Sequence, residues 1–148
     1  MKLVYRQVDD ADPQTKRVLT RLQKTCLPYD SLYFPPDGVW WIVSDGDTPV
    51  AFACVTPSQQ DSEGVYLGRS GVLHEYRGHG IQRELIRRRC RWAKTHGFKY
   101  AYSDTTDNPP SANNLIKTGF LQHRPKVLYS FARAQYWKKV LCRTKTRR

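Results

Sequence analysis

Hydrophobic and polar positions change period several times along the chain, and each change predicts an element. Residues 2–8 read as a short strand. Asp12-Pro13 then offers an N-cap and a first-turn proline, and Val18, Leu19, Leu22 and Cys26 recur at helical spacing, which predicts a helix to about Cys26. Val39–Ser44 and Val50–Thr56 are β-rich apolar runs joined across Asp45-Gly46-Asp47-Thr48-Pro49, a hairpin signal. Val65–Val72 forms a third long strand. From about Gly80 to His96 the pattern becomes that of an amphipathic helix, with Ile81, Leu85, Ile86, Cys90, Trp92 and Ala93 on one half of its circumference. Gln82 and Arg89 fall in that same half, where polar groups require partners or a ligand. Tyr100–Thr105 returns to strand, and Asn108-Pro109-Pro110-Ser111 opens a short helix that Gly119 is placed to cap. Gly119-Phe120 restarts strand, and two apolar segments, Val127–Phe131 and Ala134–Leu141, follow. The alternation predicts an α/β (α+β) fold on one mixed sheet, a single domain over 1–141 with a basic tail over 142–148.

The loop Leu27–Gly38 carries three prolines together with Tyr29, Leu32, Tyr33 and Phe34, a composition that suits a substrate-lining loop or a lid over the core. At 148 residues one domain with a real core is expected. The apolar fraction is 39%, below the usual globular level, which the nine tyrosines, four tryptophans and five phenylalanines partly offset. Asp9, Asp10 and Asp12 make the first residues unlike a signal peptide, and the longest apolar run, Val39–Val43, is too short to cross a bilayer. A cytoplasmic protein without a membrane partner is the expectation. Cys26, Cys54, Cys90 and Cys142 form no C-x-x-C pair, and the four histidines show no metal-ligand spacing, so reduced thiols and no metal are expected.

Net charge is +12, and the excess is clustered. Arg83, Arg87, Arg88, Arg89, Arg91 and Lys94 share one predicted helix, while Lys138, Lys139, Arg143, Lys145, Arg147 and Arg148 fill the C-terminus. Clusters of this kind suit a polyanion, whether cofactor phosphates or nucleic acid, or simply a solvated face and tail.

The strand-to-helix junction Val72–Arg83 carries the clearest chemistry. Gly78 and Gly80 permit positive φ and close backbone approach, and the helix that follows offers unpaired N–H groups and a positive dipole end, which together suit phosphate. No Gly-Lys-Ser/Thr follows, so this is not a P-loop. Arg83 stands where a dinucleotide fingerprint needs its third glycine.

Arg77-Gly78-His79-Gly80-Ile81-Gln82 resembles the R/Q-x-x-G-x-G/A loop of the GNAT family of N-acetyltransferases, with Val72 five residues before Arg77. Asn108 to Phe120 is similar to that family's second signature, N-x-x-S-x-x-x-L-x-x-x-G-F. The resemblance implies a mostly antiparallel sheet flanked by helices and acetyl-CoA as cosubstrate, with an unknown amine as acceptor on a protein, peptide, small molecule or RNA. A catalytically weak coenzyme- or nucleic-acid-binding module is the alternative, and a homodimer is an open arrangement. It further implies that the backbone of Gly71 and Val72 pairs with the pantetheine arm. The N–H groups of Gly78, His79, Gly80, Ile81, Gln82 and Arg83, with Arg77 beside them, would cradle the pyrophosphate. Asn108, Ser111 and Asn114 would add polar contacts or cap the helix. Gln82 departs from the small residue expected there, and Leu115 stands where many members place a proton-donating tyrosine. Amine acetylation requires removal of a proton before attack. Asp104, at a strand end, is the first candidate base, with Glu63, His74 and Tyr129 behind it.

Overall fold

A two-residue turn at Gly46 and Asp47 joins β2 (Val39–Asp45) to β3 (Thr48–Pro57), with Asp45 opposite Thr48 and Gly46 at φ 57°. A register shift at Val43/Ser44 lets this hairpin accommodate Pro49, which pairs with Ser44. In the computed structural model, which describes residues 1–131 and 133–142, the hairpin belongs to the first of two compact units. That unit comprises residues 1–56 and 68–85, and the second comprises residues 57–67 and the chain from 86 onward.

In the first unit β1 (Leu3–Val8) pairs antiparallel with β2, from Leu3↔Asp45 to Val8↔Trp40. The helix α1 (Pro13–Cys26) starts because Asp12 accepts from the Thr15 amide at 2.9 Å and Pro13 fits its first turn. It buries Leu19 and Leu22 against Trp40, Phe52 and Cys54 of the hairpin. Phe52 is fully buried, a burial that contributes about 1.5–3 kcal/mol. The strand β4 (Gly64–Val72) spans the division between the units at Leu67/Gly68, and α2 (Ile81–Thr95) spans it at Leu85/Ile86.

In the second unit β4 runs parallel to β5 (Tyr100–Thr105), but their register covers only Gly64↔Tyr100, Val65↔Ala101 and Tyr66↔Tyr102. The far edge of β5 pairs antiparallel along its whole length with β7 (Gln135–Val140). Two residues of β6 (Leu121–Gln122) complete the order β1-β2-β3-β4-β5-β7-β6, a mostly antiparallel sheet. Both helices of this unit end in the same way. Gly97 (φ 86°) closes α2 with Phe98 N–H donating to Ala93 O at 3.0 Å. Gly119 (φ 96°) closes α3 (Pro109–Lys117) with Phe120 N–H donating to Leu115 O at 2.9 Å. Both are left-handed glycine caps that satisfy carbonyls of the last turn.

Predicted elements agree with these to within a few residues. The apolar segment Val127–Phe131 forms no regular element, and its Val127, Leu128 and Phe131 are all at least half exposed. Arg143–Arg148, nearly the whole predicted basic tail, lie outside the described residues. Among the described residues no helix is long and apolar enough to cross a membrane.

Candidate functional site

The glycine junction lies in the first unit. Leu73 N–H donates to Val50 O at 2.9 Å, which fixes the end of β4, and a single 3-10 turn follows over His74–Tyr76. Tyr76 Oη donates to Asp45 Oδ2 at 2.7 Å, tying that turn to the tip of the β2–β3 hairpin. Gly78 (φ 81°) and Gly80 (φ 75°) then hold left-handed conformations, and a Cβ on either would meet nothing within 4 Å. Glycine is therefore required there by backbone angle and not by packing, and the loop borders open space. Arg77, Gly78 and His79 are exposed, Gly80 is half-buried, and Ile81 sends its side chain into the core. Glu84 N–H donating to Gly80 O at 3.1 Å is the first bond of α2, so the amides before it lie in the turn that has no acceptors of its own helix. Gln82 and Arg83 are half-buried, and Gln82 is engaged within the protein. Arg89, predicted on the apolar half of α2, is 2% exposed and likewise engaged, which removes it from the basic face that its sequence cluster suggested.

Gly71 has a packing role as well as the backbone role expected for it. A Cβ at that position would lie 2.4 Å from Cys26 Cβ and 3.0 Å from the Phe52 ring. Burial pushes the Cys26 thiol up, against a smaller opposing effect from Arg77. Two residues earlier on β4, Arg69 does work that the sequence did not announce. Its guanidinium donates to Gln23 Oε1 at 3.0 Å and to Ser31 O at 2.6 Å, and lies 5.7 Å from the centre of the Tyr33 ring. The loop Leu27–Gly38 is thereby tied to α1 and β4, leaving Tyr29 almost wholly exposed at 99%.

The second unit holds the remaining candidates. Asp104 is half-buried on β5 and accepts through Oδ1 from the Tyr66 hydroxyl. Tyr129 meets Tyr66 edge-to-face with centroids 5.9 Å apart and Tyr136 edge-to-face at 4.8 Å. Tyr136 is directly opposite Asp104 in the β5–β7 register, and its hydroxyl oxygen accepts from Ser130 N–H at 3.1 Å. The Tyr129 hydroxyl donates to Ser103 O at 3.5 Å. Burial, then the charge of Asp104 and the bond to it, drive the Tyr66 hydroxyl far above its ordinary range. Burial, then Asp104 and Tyr136, do the same to Tyr129. Both hydroxyls stay protonated at neutral pH, so Tyr129 is not a resting tyrosinate base. Glu63, another candidate, pairs with Lys99 at 2.6 Å on the surface. His74 is exposed on the rim turn.

Asn108 caps α3 by accepting from Ser111 N–H at 3.3 Å. Ser111 and Asn114 are half-buried and engaged within the protein. Leu115 is 4% exposed in the core, so its position offers an apolar packing contact and no proton. The candidates thus divide: Gly71, Val72 and residues 77–83 belong to the first unit, and Asp104, Asn108, Ser111 and Asn114 to the second.

The model of the acetyltransferase (GNAT) family matches residues 7–120. No curated protein matches the chain in sequence. Among solved structures the chain is similar to a Desulfovibrio desulfuricans protein described as a GNAT-family acetyltransferase, with TM-score 0.75 and 14% identity over 95% of this chain and 100% of that one. It is also similar to a chain of the NatC complex solved with Gag peptide and CoA, with TM-score 0.75 and 18% identity over 96% and 100%. The ribosomal-protein-S18-alanine N-acetyltransferase of Escherichia coli gives TM-score 0.75 and 11% identity over 97% and 96%.

Proposed function

Because the chain belongs to the GNAT family of acetyltransferases, we propose that it uses acetyl-CoA to acetylate an amine directly, within a ternary complex of enzyme, coenzyme and acceptor. The observation that carries this reading is the pair of left-handed glycines, Gly78 and Gly80, beside open space at the start of α2. A pyrophosphate needs converging N–H donors and a positive dipole end, and such a turn provides both without side chains in the way. The arrangement fits the coenzyme. Arg77, His79 and Arg83 flank the loop, and Gly71 and Val72 offer strand-edge backbone for the pantetheine amides. The neighbour solved with Gag peptide and CoA supports the same coenzyme.

The coenzyme, when bound, supplies an activated thioester acyl group. The chain's own residues must hold it, orient the acceptor and accept a proton. An amine with a pKa of about 8–10.4 is mostly protonated at neutral pH and attacks only after losing that proton. Asp104 is the half-buried carboxylate available for this among the candidates, since Glu63 is paired and Tyr129 is held neutral.

Calorimetric titration with acetyl-CoA, followed by thiol release with a panel of peptides, polyamines and small amines, tests the reading. Saturable binding and acceptor-dependent release of free CoA are expected. Absence of binding at millimolar acetyl-CoA overturns the coenzyme assignment, and binding without release for any amine overturns the transferase assignment.

A further inference from the structure

The basic clusters legible in the sequence lie on α2 and at the C-terminus, and the structure adds a third that the sequence does not set out as a run. In the first unit acidic and basic residues balance one for one, so the excess charge belongs to the second. Within that neutral unit the cations are segregated. The helix α1 carries Lys16, Arg17, Arg21 and Lys24 and no acid, and all four are exposed. Among the described residues none of them forms an ion pair with a carboxylate. Asp12, the nearest acid in sequence, is held as the helix cap by Thr15 N–H, with Arg17 a lesser influence at longer range. The four cations line an open groove of about 470 Å³ whose every wall residue belongs to α1, with Thr20 and Thr25 among them.

That groove runs between two ridges of the helix. Residues four apart stack into rows, here Lys16-Thr20-Lys24 and Arg17-Arg21-Thr25, which repeat about every 6 Å along the axis. Each ridge carries two of the cations, so an extended anion lying between them meets positive charge on both sides and along its length. Helix stability does not account for the pattern. Arg17 and Arg21 at i,i+4, like Arg21 and Lys24 at i,i+3, are like-charge neighbours that weaken a helix. The first turn holds no acid to suit the macrodipole. An aromatic ring stands at the far end. Tyr29, 99% exposed, sits on the turn that follows α1, closed by Asp30 N–H donating to Leu27 O at 3.1 Å. The helix itself exposes no large apolar side chain, so this face is unsuited to entering a bilayer.

We propose that the α1 groove, with Tyr29 at its end, is a docking surface for a single strand of nucleic acid. The four cations neutralise successive phosphates, and the exposed ring of Tyr29 stacks a base. Contacts to phosphates and to the face of a base carry no sequence preference and do not depend on the sugar. A peptide rich in acids would engage the cations and leave the tyrosine unused. The surface is separate from the coenzyme loop: its walls include none of residues 71–83, and it holds a strand whether or not acetyl-CoA is bound.

The test is fluorescence anisotropy of a labelled thymidine oligomer of about 12 nucleotides, within the site sizes of such surfaces, titrated with the full chain without coenzyme. Saturable binding is expected, with a log–log salt slope of about −3, because each of the four neutralised phosphates contributes about −0.7. Arg21→Gln with Lys24→Gln should weaken binding at least tenfold and flatten the slope by about 1.4. Arg91→Gln with Lys94→Gln removes the same charge from exposed positions of α2 and should weaken binding less than threefold. Tyr29→Ala should weaken it about fivefold or more, and Tyr29→Phe should leave it intact. A glutamate oligomer of equal charge should bind more weakly and respond to neither tyrosine variant. Absence of saturable binding overturns the proposal. Equal losses in the two double variants also overturn it, since the diffuse charge of the chain then does the binding. So does a silent Tyr29→Ala, or a glutamate oligomer that binds as tightly, either of which makes the partner an acidic peptide. Displacement by saturating acetyl-CoA moves the strand to the glycine loop and overturns it too. Thermal unfolding serves as the fold control for every variant. Because acetyl-CoA binding is read separately, failure of this surface is distinguishable from failure of the transferase reading.

Discussion

Gly80 and Asp104 illustrate how far a single residue can be interpreted from its neighbours in sequence. Gly80 sits two positions after Gly78 and just before a helical pattern, so its left-handed backbone was legible from local chemistry alone. Replacing it with alanine introduces no clash, because nothing lies within 4 Å of the new Cβ, but forces an L-residue to φ near 75°. That costs about 1–2 kcal/mol, which relaxation of the loop away from its cradle shape would relieve. Gly80→Ala should therefore weaken acetyl-CoA binding roughly five- to thirty-fold by calorimetry, since 1.4 kcal/mol is a factor of ten; unchanged affinity would show that the loop does not hold the coenzyme in this conformation. Asp104 was legible as a carboxylate at a strand end, but its partner was not. Tyr66 lies 38 residues earlier, and the two meet only because β4 and β5 run parallel in the register that sets Tyr66 opposite Tyr102.

Elements show the same division between local and distant causes. The start of α1 at Asp12-Pro13, the start of α3 at Asn108 and its closure at Gly119 were all readable, because a cap is decided within a few residues. The apolar segment Val127–Phe131 shows the converse: a run with no alternation does not say what it packs against, and here Val127, Leu128 and Phe131 are at least half exposed. The anchoring of the Leu27–Gly38 loop was also hidden, since Gln23 and Arg69 are 46 residues apart. Gly71 connects the two scales. Its sequence reading concerned backbone beside a coenzyme, while the structure shows α1 and β4 in such close approach that a methyl would meet Cys26 Cβ at 2.4 Å. Neither atom is the mobile end of a long side chain, so α1 or β4 must shift. Gly71→Ala should destabilise the protein by about 1–3 kcal/mol in urea unfolding. Cys26→Ala keeps the obstructing Cβ and so should not rescue it, whereas Cys26→Gly, which removes that carbon, should recover part of the loss. A silent Gly71→Ala would mean the α1–β4 approach is looser than this.

For the whole molecule the titrating groups combine into one stability profile, and its shape follows from the direction of each shift. Hydrogen bonds from Thr15 to Asp12, from Tyr76 to Asp45 and from Tyr102 to Asp61 hold those carboxyls below the ordinary range. In the window below an unfolded value of about 3.9 the unfolded chain then binds more protons, and stability falls as pH falls. Burial, with Lys138 beside it, lowers His123, so the same loss begins modestly as pH drops past about 6.5. On the alkaline side the signs reverse. Burial raises the Cys26 and Cys90 thiols, and burial with nearby carboxylates raises Tyr66, Tyr102 and Tyr129. Here the folded state keeps protons that the unfolded chain releases, first above about 8.5 for the thiols and then above about 10 for the phenols. Stability measured by urea unfolding should thus form a plateau between about pH 6.5 and 8.5, with a shallow acid shoulder and a steeper alkaline fall. Tyr129→Phe isolates one contributor, because among the described residues its hydroxyl makes only the 3.5 Å bond to Ser103 O and its ring contacts persist in phenylalanine. The variant should flatten the slope above pH 10 by up to one proton while leaving the acid limb in place. A profile that keeps rising past pH 10, or an alkaline slope identical in Tyr129→Phe, would mean that the tyrosine cluster around Asp104 is open to water and no longer held in its neutral form.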